Sequence, residues 1–237
     1  MPDLARAADG SDESPARTRI LDAAFGAFSE SGYARTSTLE IATRARVSKR
    51  ELYALVGNKQ QMLVAYITRR ASRLGVPAHL PVPRDRRTLG RVLTEFGAHL
   101  LREITDPATI AVFRLAIAEA ERAPEVARAL DSIGREASRV ALRDLLARAR
   151  AAGLVRGDPA EVAEQFMALL WGSLLVSLLL GVAERPSPTE NRRRARAASA
   201  AVLKLYSAPS ASGPAGRVST GRGEHGVQRT AERRERT

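Results

Sequence analysis

Lys49, Arg50, Glu51 and Tyr53 follow directly behind a serine, Ser48, in one short stretch of chain. A guanidinium reads guanine through two parallel hydrogen bonds, an ammonium reaches base edges, and a phenol or hydroxyl donates to phosphate. Gathered at the start of a short helix, such side chains suit the major groove of duplex DNA. Ser48 is a residue type that opens helices by accepting a backbone N–H, and Glu51 stands where a capping-box partner belongs. A carboxylate there also accepts from a cytosine amino group, though capping is the simpler use. The plain alternative is a solvated basic face, the usual fate of exposed lysines and arginines. What separates the two readings is the position of these residues, which the flanking elements must set.

Those elements lie in residues 36–59, TSTLEIATRARVSKRELYALVGNK. Apolar residues fall at Leu39, Ile41, Ala42, Ala45, Val47, Leu52 and Leu55, the pattern of two short helices meeting at a corner. Thr38 is placed to cap the first helix, Ile41 and Ala42 face inward, and small Ala45 allows close approach. Arg46 and Val47 make the corner. Leu52 and Leu55 hold the second helix down and leave Lys49, Arg50 and Tyr53 pointing outward. The stretch is a helix-turn-helix.

Residues 18–63 resemble the DNA-binding domain of the TetR family of bacterial transcriptional regulators. The resemblance rests on ILDAAFGAFSESGY, a threonine-rich approach to the second helix, VSK…LY, and Lys59 just beyond the recognition helix. It implies that Thr36, Thr38, Tyr53 and Lys59 contact phosphates, with Ser48 among the DNA-facing residues, and that Lys49 and Arg50 reach base edges. It also implies a helical body that binds a small molecule and dimerises. Two positions depart from the family pattern: Arg46 replaces the usual corner glycine, and Val56 replaces an aromatic residue. A left-handed Arg46 would cost about 1–2 kcal/mol.

A chain of 237 residues allows one large or two small domains. Thirty-eight Lys and Arg against 26 Asp and Glu give a net charge of +12, which favours polyanionic partners. Residues 16–74 hold eleven basic and four acidic residues, so the excess sits where DNA would lie. The absence of cysteine fits a reducing cytoplasm. Residues 1–15 are polar and lack the basic-then-apolar run of a secretory signal, so we expect a disordered arm and a cytoplasmic protein.

No stretch alternates with period two, and the expected fold is all-α. Residues 16–63 form the N-terminal helix-turn-helix domain, whose first helix runs over 16–31 with Ile20, Leu21, Ala24, Phe25 and Phe28 inward and Gly32 ending it. A fourth helix, 59–74, links this unit to a ligand-binding and dimerisation domain over 75–206. Three prolines exclude regular helix from 75–85. Helices are expected over 86–105, from Asp106-Pro107 onward with a buried apolar segment at 110–117, and over 121–152 as one long helix restarted by Pro124. Asp158-Pro159 opens a helix that carries the charge-free run 165–183, and a last helix spans 189–206. Residues 207–237 read as a disordered basic tail.

The run 165–183 is near the length that spans a bilayer. Gly172, Ser173 and Ser177, with Glu161 and Glu164 one turn earlier, favour instead a helix buried between two subunits. The expected interface takes Gly172, Leu175 and Leu179 from this helix and Ala195, Ala198 and Val202 from the last, a four-helix arrangement that the resemblance also implies. Phe96, Leu100, Phe113, Ile117, Met167 and Trp171 are either packing residues or the lining of a cavity. Without an obvious charge cluster among them, the ligand should be largely hydrophobic. His79, His99 and His225 are too scattered to ligate metal. The sequence GRGEHG at 221–226 follows no strand, and neither a nucleophile elbow nor a P-loop occurs. Catalytic residues, cofactors and metals are therefore not expected. The expected partners are double-stranded operator DNA, a small apolar effector and a second copy of the chain, without a membrane. Two other classes compete: a membrane-anchored protein spanning at 165–183, and a constitutive architectural DNA binder using its basic tail.

Overall fold

Ser14 opens the first helix by accepting the Arg17 N–H, and Pro15 occupies the first turn, where no donor is needed. The computed structural model describes residues 14–207; the rest of the expected arm, the tail beyond Ser207, His225 and 221–226 lie outside them. Helix α1 (Pro15–Ser31) buries Ile20, Leu21, Ala24, Phe25 and Phe28, and ends at Gly32 with φ 84°. Helix α2 (Thr38–Ala45) is capped by Ser37, whose side chain accepts from Glu40; Thr38, the expected cap, is its first helical residue instead. Helix α3 (Lys49–Leu55) is capped by Ser48, which accepts from the Glu51 N–H at 3.0 Å. The fully reciprocal capping box forms one helix later, between Asn58 and Gln61, at the start of α4 (Lys59–Ala71). A single 3-10 turn, Ser72–Leu74, finishes this link.

The corner between α2 and α3 is left-handed. Arg46 has φ 56° and ψ 48°, and among the described residues it alone combines a side chain with positive φ. Its N–H still reaches the Thr43 carbonyl at 3.2 Å, so the turn closes normally and the strain sits in the residue type. Arg46→Gly should therefore raise stability by about 1 kcal/mol, a rise of about 2–4 °C in the unfolding midpoint. Calorimetry showing no change would mean the corner accepts arginine without strain.

The body is α5 (Arg86–Ile104), α6 (Pro107–Ala118), α7 (Pro124–Ala129), α8 (Glu136–Ala151), α9 (Pro159–Trp171), α10 (Leu174–Leu180) and α11 (Pro188–Leu205). Two expected long helices are broken. Residues 121–152 divide into α7, a π-helical turn over Leu130–Arg135, and α8. The run 165–183 is interrupted at Gly172, φ 47° and ψ −131°, a conformation closed to most side chains; α9 and α10 meet there at 50°. Among the described residues no single helix is long and apolar enough to cross a membrane, and this bent pair buries Phe166, Leu170, Leu174 and Leu178 in the body.

Helix α5 lies against α11 so closely that a Cβ on Gly97 would come within 3.0 Å of Phe166, 3.1 Å of Ala195 and 3.2 Å of Leu170. This contact overturns part of the expected interface and pocket. Ala195, Ala198 and Val202 point into the protomer, as do Phe96 and Leu100, all at most 3% exposed. They are core residues. Ile117, expected to be buried in the apolar helix, is 62% exposed.

The helix-turn-helix unit does not close its own core. Beside Ile20, Leu21, Phe28, Ile41 and Leu52, that core contains Val112, Leu115 and Ala116 of α6, with Ala123 and Val126 beyond it. Burial of apolar surface thus joins the body to α1 and α4 as one packed unit, and the boundary read near residue 75 is not a packing boundary.

Candidate nucleic-acid interface and ligand cavity

Lys49 and Arg50 occupy the first turn of α3, exposed, and no hydrogen bond or ion pair among the described residues engages their side chains. They can therefore be inserted into a groove without first breaking a contact. Tyr53 stands one turn further along, 47% exposed, with its hydroxyl 3.3 Å from Thr38 Oγ1 at the start of α2. This pairing sets the N-terminus of α2 beside the outward face of α3, and the unpaired N–H groups and positive dipole end of α2 favour phosphate. Ser48 is exposed and accepts through Oγ, which leaves its hydroxyl proton available as a donor.

Two expected phosphate contacts have other work. Thr36 is only 2% exposed; its hydroxyl is within 2.8 Å of the Gly32 carbonyl and 3.1 Å of the Ala27 carbonyl, tying the chain after α1 back onto that helix. Lys59 Nζ donates to the Tyr33 carbonyl at 2.9 Å and to the Ala34 carbonyl at 3.2 Å, and lies 4.9 Å from the Tyr33 ring centre. Spacing does not show this anchoring, because the partners of both residues lie across the α1–α2 corner. Lys59 fastens α4 to that corner rather than presenting a free charge.

Helix α4 then carries the surface to the body. Tyr66 stacks on Phe25 with ring centres 4.3 Å apart and planes 9° from parallel. Burial pushes its phenol above the ordinary range, against the opposing pull of Arg70 and Arg69, so it packs as a neutral ring. One turn on, Ile67, Arg70 and Ala71, followed by Leu74, form one wall of a cavity of about 690 Å³. Phe113, Met167 and Trp171 line it, whereas Phe96, Leu100 and Ile117 do not. Leu175 and Leu179, expected at a subunit interface, line it too.

The cavity is not as apolar as the sequence suggested. Arg70, Arg135, Arg139 and Arg143 line it together with Glu103, Glu136 and Glu164. Most of these charges have partners: Arg70 donates to Asp106 at 2.6 Å and to Thr109, Arg139 pairs with Glu164, and Arg135 with Asp131 at 2.7 Å. Arg135, Arg139 and Arg143 recur every four residues, from the π turn into α8, a spacing already present in the sequence. A fully missed residue is Glu119, buried just after α6, whose Oε1 accepts the Tyr33 N–H at 3.0 Å.

Comparison with known proteins agrees with this arrangement. Residues 20–66 match the family described as bacterial regulatory proteins, tetR family, and residues 91–208 match the AefR-like transcriptional repressor C-terminal domain. The chain belongs to the TetR family. A TetR transcriptional regulator from Agrobacterium tumefaciens is 30% identical, with 82% of this chain and 95% of that one covered at a TM-score of 0.68. The flavonoid-responsive regulator FrrA is also 30% identical, with 80% and 96% covered at a TM-score of 0.66. The HTH-type transcriptional regulator YvkB of Bacillus subtilis is 27% identical over 168 residues, 70% of this chain and 85% of that protein. This TetR-family chain is accordingly a DNA-binding transcriptional regulator of the repressor type, not an enzyme.

Proposed function

We propose that the protein is a cytoplasmic, homodimeric repressor that leaves its operator when a small molecule fills the cavity of the body. The observation that carries this reading is the double role of α4. Lys59, at one end, holds the corner before α2, and Ile67, Arg70 and Ala71, at the other, line the cavity. A ligand that changes the tilt of α4 changes the placement of α3. In a dimer two such helices must meet successive major grooves about 34–36 Å apart, so a small tilt is enough to lose the site.

The ligand suited to this cavity has an apolar body and polar groups at its edge. Phe113, Met167, Trp171, Leu175 and Leu179 favour the former, and the Arg135–Arg139–Arg143 face and Arg70 favour the latter. FrrA is named for its response to flavonoids, which makes a flavonoid panel a sensible first set of probes. Trp171 is the single tryptophan and lines the cavity, so its fluorescence reports occupancy directly.

The outward face of the last helices supports the dimer. Leu169, Gly172, Val176 and Leu180 of the α9–α10 pair are exposed, as is Leu205 of α11. An apolar face of this kind is what a two-fold interface covers.

Selection of DNA from a random pool by the purified protein tests the central reading. A paired, inverted sequence should emerge; enrichment no better than the pool would end the repressor proposal. The switch has its own test, by reciprocity. A compound that shifts Trp171 fluorescence should raise the melting temperature and weaken operator binding through a coupling of about 1–3 kcal/mol, and operator DNA should weaken its binding by the same factor. Tight binding in the cavity with unchanged operator affinity at saturation would defeat the switch.

A further inference from the structure

Glu119 is 7% exposed, follows α6 directly, and makes one hydrogen bond to another element, from the Tyr33 N–H. Its second oxygen, Oε2, is buried without a hydrogen-bond partner among the described residues. A buried carboxylate with an unsatisfied oxygen is unfavourable for folding, and an apolar side chain of similar size would serve packing better. The surroundings are nevertheless shaped to admit it. A Cβ on Gly32 would stand 2.8 Å from Oε1, so the carboxylate reaches Tyr33 only across a glycine.

Tyr33 is the meeting point of three helices. Its ring packs edge-on against Phe28 of α1 at 5.0 Å, its carbonyl accepts from Lys59 of α4, and its N–H donates to Glu119 behind α6. Four residues later Ser37 caps α2, against which α3 packs. The DNA-reading unit is thus held to the body by the covalent link of α4, by the apolar packing of α6 and α7 on α1 and α4, and by the hydrogen bond to Glu119. Apolar packing is non-directional, whereas a buried hydrogen bond is directional and fixes the tilt.

We propose that Glu119 is a positioning residue for operator recognition. It locks the α1–α2 corner to the body and thereby fixes the orientation in which the two α3 helices of a dimer meet the DNA. The proposal rests on the operator-binding reading above. Glu119 touches no DNA; it acts through Tyr33. Since α6 also lines the cavity through Thr109, Val112 and Phe113, the same carboxylate gives the cavity a route to the reading unit that bypasses α4.

The test uses the full chain with Glu119→Leu and Glu119→Gln, and the selected operator with one base pair added or removed between its half-sites. A fixed reading unit discriminates spacing; a hinged one tolerates it. Wild type should lose about tenfold or more in affinity on the altered spacing, and Glu119→Leu less than about threefold, while its melting temperature shifts by only a few degrees, because relief of the unpaired carboxylate oxygen offsets the orphaned Tyr33 N–H. Glu119→Gln, which retains an acceptor for Tyr33, should recover most of the wild-type discrimination. A leucine variant that discriminates spacing like wild type overturns the proposal. So does one that unfolds or melts far lower, because Glu119 would then be a stability residue. Amide exchange separates this outcome from failure of the repressor reading. If no operator is selected, that reading falls, and the Tyr33 N–H then decides alone: exchange at least about tenfold faster in Glu119→Leu supports the tie, and equal exchange refutes it.

Discussion

Val176→Arg is expected to convert a dimer into a monomer that no longer holds operator DNA. Val176 stands on α10, 58% exposed, between Leu169 and Leu180, which are 46% and 71% exposed. In the proposed dimer two-fold symmetry puts the residue into the interface twice, so one substitution brings two charges into a surface that excludes water. An uncompensated buried charge costs about 3–5 kcal/mol, enough to weaken the dimer at least about a hundredfold. A lone subunit then contacts one half-site only, and the gain from binding both at once is lost. Leu175→Arg supplies the contrast. Leu175 lines the cavity, so that variant should remain dimeric and lose ligand binding. Light scattering decides both, and a dimeric Val176→Arg protein would place the interface elsewhere.

Arg50→Ala should cost about 1–3 kcal/mol on the selected operator and relax the choice at one base position. The Arg50 side chain is exposed on the first turn of α3 without an intramolecular partner among the described residues, so its removal leaves the fold intact. Lys59→Ala should behave differently. Its ammonium binds the Tyr33 and Ala34 carbonyls, and its loss should appear as about 1–3 kcal/mol of stability, with little change in the salt dependence of DNA binding. Salt titrations on specific and random DNA, with thermal unfolding alongside, separate the two. If Lys59→Ala instead lowers the salt slope by about one unit at unchanged stability, its ammonium contacts phosphate in the complex.

Local interactions are legible in the sequence itself. Capping by Ser48 depends on residues three apart, the inward face of α1 on a repeat of three and four, and the left-handed corner at Arg46 on the geometry of one turn. Each is decided within a few residues, so the sequence alone carries enough to place the recognition helix and its outward Lys49, Arg50 and Tyr53. The all-helical class follows from the same periodicity. The breaks at Gly172 and in the π turn at Leu130–Arg135 were not legible, because the charge-free and amphipathic patterns continue across both.

What only the tertiary structure decided is which apolar face meets which neighbour. Ala195, Ala198 and Val202 have the spacing of an interface helix, yet they pack on α5 because Gly97 lets the two helices approach. Leu175 and Val176 are adjacent and alike in sequence, but one lines the cavity and the other faces outward. The same holds for polar residues: the resemblance implies DNA contacts for Thr36 and Lys59, and within the subunit both make contacts across the α1–α2 corner that no spacing shows. Glu119 reaches Tyr33 across 86 residues of sequence, and no periodicity encodes such a distance. Hydrophobic burial is non-directional: sequence shows that a face must be covered, whereas the choice of cover depends on all helices packing at once.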